Sequence, residues 1–217
     1  MRLDGEDFNG SRMKLGLNGC IPESRPALWG RPFMRTIYET ILFASNDIKS
    51  PLRNGSIIPS SRAASVGMVQ SVDFSRIDTI VELGPGTGVF TQEVLRRCKS
   101  DTKILLIEIE RSYVKLLKRK FGDRVIVEYA SAHHLDELMA KHGIARPDLV
   151  LSGLPFMERE IGKVLFASIK QHTDRGTIYR FFTYMPPVMK HVYRELPVRK
   201  LSFILKNFPP FWVYGIN

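Results

Sequence analysis

Between Thr79 and Tyr184 short apolar runs alternate with amphipathic stretches, and this rhythm restricts the fold more than any other feature of the chain. The apolar runs are Thr79–Leu83, Lys103–Ile109, Val125–Tyr129, Asp148–Ser152 and Thr177–Tyr184, all rich in Ile, Val and Leu. Such runs belong to strands covered on both faces. The stretches between them, Val89–Arg97, Ser112–Phe121, Leu135–His142 and Glu158–Gln171, space their apolar residues as helices do. Strand–helix alternation predicts an α/β fold with a doubly wound, mostly parallel sheet. Beyond Pro186-Pro187, Lys200–Lys206 and Phe211–Ile216 predict two more strands across the turn Asn207-Phe208-Pro209-Pro210. So short a connection pairs them antiparallel and brings the sheet to seven strands.

The N-terminal part follows another pattern. Residues 1–32 carry scattered glycines and prolines without periodicity and predict a flexible tail. From Phe33 the spacing of Phe33, Ile37 and Ile41, beside Met34, Tyr38 and Leu42, predicts an amphipathic helix that ends before Pro51. Pro59-Ser60-Ser61 then predicts the start of a helix reaching about Val72. The expected organisation is a tail over 1–32, a helical cap over 33–72 and an α/β domain over 73–217.

Two cysteines, Cys20 and Cys98, exclude a disulfide framework, and no ligand cluster predicts a metal site. No apolar run approaches the roughly 20 residues of a membrane helix. So few cysteines make a reducing, cytoplasmic setting the expected one, and the acidic Asp4, Glu6 and Asp7 argue against a secretory signal. The formal net charge is +10. Residues 157–217 hold ten Lys/Arg against four Asp/Glu, whereas residues 73–156 hold thirteen against twelve. The excess therefore lies mainly outside the strand–helix core. A basic surface suits nucleic acid or an anionic membrane.

The first predicted strand runs directly into Gly84-Pro85-Gly86-Thr87-Gly88. Glycines there allow a sharp turn and close approach to a ligand, and the next helix aims its N-terminus at the same place. The spacing is G-x-G-x-G, since Val89 stands where a dinucleotide-binding turn has its third glycine. Glu108 closes the second strand, where a carboxylate can accept both ribose hydroxyls of a nucleoside.

Glu82-Leu83-Gly84-Pro85-Gly86-Thr87-Gly88, followed by the strand-ending Glu108, resembles the class I S-adenosylmethionine-dependent methyltransferases. The resemblance implies a Rossmann-like sheet and S-adenosyl-L-methionine as cofactor. It implies that Gly84, Gly86 and Gly88 contact the cofactor, that Glu108 holds its ribose and that Glu82 lies under its methionine amino group. Where the family often has an adenine-reading Asp this chain has Ala130, so the contact passes to Ser131 or to the backbone. Ser60 falls where related enzymes close over the cofactor carboxylate, and Ser152, at the end of the fourth strand, joins the cofactor-binding set.

Ser152-Gly153-Leu154-Pro155-Phe156 resembles the N-L-P-Y signature of ribosomal RNA adenine dimethyltransferases, but Gly153 stands in place of the polar residue that accepts from the target amine. Four separated segments give a fuller resemblance: Gly55-Ser56-Ile57-Ile58-Pro59-Ser60-Ser61-Arg62, the glycine turn, Ser152–Phe156 and Asn207–Tyr214, preceded by the amphipathic helix. Together they resemble the bacterial phospholipid and ornithine-lipid N-methyltransferases. This implies an enzyme methylating a phosphatidylethanolamine-like aminolipid, peripheral on the inner face of an anionic membrane, with nucleic acid the less favoured partner. Phe156 and Tyr184, at adjacent strand ends, would line the amine site, and Tyr38 is a further catalytic candidate. The competing readings are an rRNA adenine-N6 methyltransferase and a protein that binds the cofactor without catalysis.

Overall fold

The described residues all lie in one compact unit, Ser56–Asn217. The computed structural model describes residues 62–154, 159–184, 186, 193, 194, 196–206 and 210–217. The tail over 1–32, the helix from Phe33, Tyr38, Ser60 and Phe156 lie outside the described residues.

Helix α1 (Arg62–Met68) precedes strand β1 (Thr79–Leu83), helix α2 (Val89–Arg97), β2 (Lys103–Glu108), α3 (Arg111–Phe121) and β3 (Ile126–Tyr129). Then come α4 (Leu135–Lys141), β4 (Leu149–Ser152), α5 (Arg159–Thr173), β5 (Ile178–Thr183), β6 (Arg199–Ile204) and β7 (Phe211–Ile216). The seven strands form one sheet in the order β3-β2-β1-β4-β5-β7-β6. β3, β2, β1, β4 and β5 are mutually parallel, while β7 pairs antiparallel with both β5 and β6. β6 consequently runs in the same sense as β1. The predicted Rossmann-like, mostly parallel sheet and its antiparallel C-terminal pair are both present.

Each central strand buries both faces, and the period-two alternation of side chains sorts its residues into two cores. Ile80, Ile104, Leu106, Leu149 and Leu151 pack with Phe90, Val94, Val114 and Leu117 of α2 and α3. Val81, Leu83, Leu105, Ile107 and Val150 pack on the other side with Leu135, Leu165 and Ile169 of α4 and α5. Two-sided burial explains why these strands read as unbroken apolar runs.

α1 stops at Met68, four residues before the expected Val72. The chain turns there, with the Gln70 amide donating to the Gly67 carbonyl at 3.4 Å and Ser71 in the left-handed region at φ 61°. The turn carries the fully buried Val69 into the first core beside Ala64 and Met68. At the end of the sheet away from the glycine turn, Asp148 Oδ2 accepts from the amides of Asp78 and Thr79, each at 2.9 Å, fastening β1 to β4.

Candidate cofactor and active site

The parallel strands end together, and the connection leaving β1 at that end is the glycine turn. Gly84, Gly86 and Gly88 have φ of 65°, 54° and 75°, so all three occupy the left-handed region that side chains disfavour. Their surroundings differ. A Cβ on Gly88 would lie 2.6 Å from Phe121 Cε2 and 2.8 Å from Leu117 Cδ2, whereas a Cβ on Gly86 would meet nothing within 4 Å. Gly88 is thus small to let α2 seat on α3, and Gly86 presents bare backbone to open space. Lys120 Nζ donates to the Thr87 carbonyl at 3.0 Å and braces the turn from α3.

Glu108 is buried at the end of β2. Its Oε2 accepts from the Gly86 amide and its Oε1 from the Glu110 amide, both at 2.9 Å. A carboxylate offers about four acceptor positions, so each oxygen keeps one for a pair of ribose hydroxyls. The same two hydrogen bonds tie the turn to β2. Ile109, the next residue, is 66% exposed and sets an apolar surface beside this carboxylate. Tyr129, paired with Glu108 across β2 and β3, is 51% exposed, with the Arg111 guanidinium 5.0 Å from its ring centroid. Neither Ile109 nor Tyr129 stands out in the sequence as a site residue; an apolar side chain directly after a strand-ending acid is the signal that would have found Ile109, whereas Tyr129 is brought there by the pairing of β3 with β2.

Glu82 faces α2, on the same side of the sheet as Glu108, and is almost wholly buried. The Thr91 hydroxyl donates to its Oε2 at 2.7 Å, while its Oε1 has no hydrogen-bond partner. Burial pushes the carboxyl up to about 7; the Thr91 hydrogen bond opposes this and the Glu108 charge adds to it. An unsatisfied buried carboxylate oxygen is costly, and an ammonium brought to it would relieve that cost. Thr91, which orients Glu82, is another residue the sequence reading did not single out.

The remaining expected residues are placed less uniformly. Ser131 Oγ lies 2.9 Å from His133 Nδ1, so this candidate is engaged by a neighbouring histidine, and His134 Nδ1 is 2.9 Å from Glu137 Oε2. Ser152 lies on the opposite face of the sheet from Glu82, in register with Leu83 and on the side of buried Tyr179. Tyr184 follows β5 at the same sheet end as the glycine turn, packed edge-on against Phe182 at 5.7 Å and Phe211 at 5.8 Å.

Gly153 has a tight fit of its own. A Cβ there would stand 2.8 Å from the Gly84 carbonyl oxygen, and a Cβ on Gly84 would stand 2.8 Å from Leu154 Cδ2. The Gly153 amide donates to the Leu83 carbonyl at 2.8 Å. The end of β4 is pressed onto the glycine turn with no room between them for a side chain.

The described residues fit S-adenosylmethionine: an open glycine backbone, two free acceptor positions on Glu108, an apolar surface at Ile109 and an unpartnered buried oxygen on Glu82. Comparison with known proteins agrees. A family model described as "Ribosomal RNA adenine dimethylase" matches residues 60–131. The ornithine lipid N-methyltransferase of Singulisphaera acidiphila is 28% identical over 180 residues, covering 80% of this chain and 93% of the relative. The ribosomal RNA small subunit methyltransferase A of Cupriavidus metallidurans is 34% identical over 70 residues, covering 32% of this chain and only 24% of the relative. Among solved structures, a Burkholderia thailandensis 1,6-didemethyltoxoflavin-N1-methyltransferase with bound S-adenosylhomocysteine superposes with a TM-score of 0.52 at 12% identity, covering 91% of this chain and 92% of that one. Aeropyrum pernix fibrillarin in complex with S-adenosyl-L-methionine gives 0.53 at 12% identity, covering 71% and 73%. Fold, turn and relatives together make the chain a class I methyltransferase whose cofactor is S-adenosylmethionine.

Proposed function

We propose that the chain methylates the amine of a membrane aminolipid, phosphatidylethanolamine-like in its headgroup, from a peripheral position on the inner face of an anionic membrane. The observation that carries this reading is the closed space at Gly153. In the adenine-methylating signature that position holds the polar side chain that accepts from the target amine. Here the Gly84 carbonyl, 2.8 Å from any added Cβ, denies a side chain its place. The reading is supported by the likeness to a lipid methyltransferase along 93% of that relative's length, against a quarter-length match to the rRNA enzyme. Among the described residues no helix is long and apolar enough to cross a membrane, which fits a surface enzyme.

S-adenosylmethionine, when bound, supplies an electrophilic methyl group. The chain's own task is alignment and exclusion of water. A lipid amine reacts only as the neutral base, and an ammonium of ordinary pKa near 10 loses its proton more readily when desolvated. Tyr184, beside Phe182 and Phe211, provides an aromatic wall at the strand ends for such desolvation. Its ring face would also favour each successive methylated ammonium, by about 0.5–2 kcal/mol.

The test is purified chain with methyl-labelled cofactor, offered phosphatidylethanolamine vesicles or undermodified ribosomal RNA. Label is expected in the lipid phase. Label in RNA alone would replace this reading with adenine methylation. Cofactor binding with label in neither would reduce the chain to a cofactor-binding protein.

A further inference from the structure

Strand β6 is one edge of the sheet, and its two faces are unlike. Ile204 packs over Gly67 of α1 with Ser202 beside it; a Cβ on Gly67 would lie 3.0 Å from Ile204 Cγ1 and 3.9 Å from Ser202 Oγ. Phe203, paired with Trp212, is 44% exposed; Leu201, at a register shift between Lys200 and Ser202, is 40% exposed; and Leu205, just past the end of the strand, is 71% exposed. Phe203 rests on Trp212 of β7 with ring centroids 4.7 Å apart. Arg199, Lys200 and Lys206 bracket this apolar row, and among the described residues none of the three forms an ion pair. β6 runs in the same sense as β1, so Leu205 and Lys206 lie at the sheet end that carries the glycine turn. Two strand spacings separate β6 from β5, about 10 Å.

An exposed apolar row flanked by unpaired cations matches one partner better than others. Aliphatic side chains gain from acyl chains and cations from lipid phosphates, so an anionic bilayer satisfies both. An RNA backbone would meet the cations and leave Leu201 and Leu205 in water. A second copy adding to the edge would set two like-charged strands together, the device that keeps natural edges apart.

We propose that β6 is the strand by which the chain rests on an anionic lipid surface, with Phe203 and Leu205 entering the headgroup region and Arg199, Lys200 and Lys206 meeting lipid phosphates. This rests on the aminolipid reading and adds to it the surface through which substrate arrives.

The experiment uses full-length chain and vesicles of phosphatidylcholine with or without one-third phosphatidylglycerol. The variants are L205E, the double L201S/F203S and the triple R199E/K200E/K206E. The wild type is expected to co-float with anionic vesicles and not with neutral ones, and each variant to bind at least ten-fold more weakly. All are expected to keep the wild-type circular dichroism spectrum and S-adenosylhomocysteine affinity, and to methylate aminolipid in detergent micelles at the wild-type rate. Trp212 gives a direct readout, since the chain has two tryptophans and W29F leaves it alone. Its emission should be quenched by brominated phosphatidylglycerol in W29F and not in W29F/L205E. Wild-type vesicle binding in all three variants would overturn the proposal. So would β6-dependent binding of ribosomal RNA without vesicle binding, or a β6-dependent dimer without vesicle binding. The aminolipid reading fails separately: β6-dependent vesicle binding without lipid methylation would overturn the substrate and leave the docking strand standing.

Discussion

Thr91 Oγ1 donates to Glu82 Oε2 at 2.7 Å beneath the glycine turn, and the other oxygen of that carboxylate has no partner. One residue of α2 thereby sets the orientation of a buried acid on β1 and leaves half of its acceptor capacity for a ligand.

The first consequence is a pH dependence. Glu82 ionises in the fold at about 7 rather than at its ordinary 4.5. Between those values the folded chain keeps a proton that the unfolded chain releases, so the stability of the cofactor-free protein falls as pH rises across this window. The total is on the order of 3 kcal/mol. If Glu82 receives the cofactor's ammonium, cofactor affinity should move the opposite way, because an ammonium pairs with the ionised form. Melting temperatures of the chain alone and with saturating S-adenosylhomocysteine, taken from pH 5 to 8, should show the gap widening with pH. E82Q should remove most of the slope; a slope unchanged by that substitution would dissociate it from Glu82.

Glu108, the candidate ribose acceptor, also serves the fold, because its carboxylate accepts from Gly86 and Glu110. E108A should weaken S-adenosylhomocysteine binding by about 1.5–3 kcal/mol, as loss of charge-assisted hydrogen bonds does. It should also lower unfolding free energy by about 1–3 kcal/mol, since two amides lose their acceptor. Calorimetric titration and urea denaturation measure the two losses; full affinity in the variant would remove Glu108 from the site.

The glycines of the turn should separate by experiment. G86A adds a methyl into open space at φ 54°, at a conformational cost of about 1–2 kcal/mol, and should chiefly impair cofactor binding. G88A drives its methyl to 2.6 Å from Phe121 as well, and should cost about 2–4 kcal/mol of stability from strain and overpacking together. Equal unfolding midpoints for the two variants would contradict this assignment.

G153N restores the side chain of the adenine signature and should fail to restore its chemistry. The new Cβ is forced onto the Gly84 carbonyl oxygen, a backbone atom held by the turn. A loss of about 1–3 kcal/mol in stability and no gain of RNA methylation is expected. A stable G153N chain that labels ribosomal RNA would show that the space opens.

At the far end of the sheet, D148A should cost about 1–3 kcal/mol by leaving the amides of Asp78 and Thr79 without their acceptor. Cofactor affinity should be unchanged, which titration of the folded variant would confirm.

The strand–helix rhythm and the glycine turn were legible in the residues themselves, since two-sided burial leaves unbroken apolar runs and a left-handed turn demands glycine. β1 has the predicted bounds Thr79–Leu83, and α2 the predicted Val89–Arg97. The end of α1 was not legible: nothing local prevents helix through Val72, and the turn at Gln70–Ser71 serves the burial of Val69. Thr91 and Tyr129 were also missed, because each gains its role from a partner on another element.

By itself the sequence determined the layering, the glycine turn and the acid at the end of the next strand, because periodicity, glycine spacing and strand-end position are local properties of a chain. Tertiary structure alone decided that β7 lies between β5 and β6, that Ser152 faces away from Glu82, that Gly153 leaves no room for a side chain and that Leu205 stands bare at the edge. Each of these depends on which distant backbone comes within van der Waals contact, and no window of sequence contains that distance.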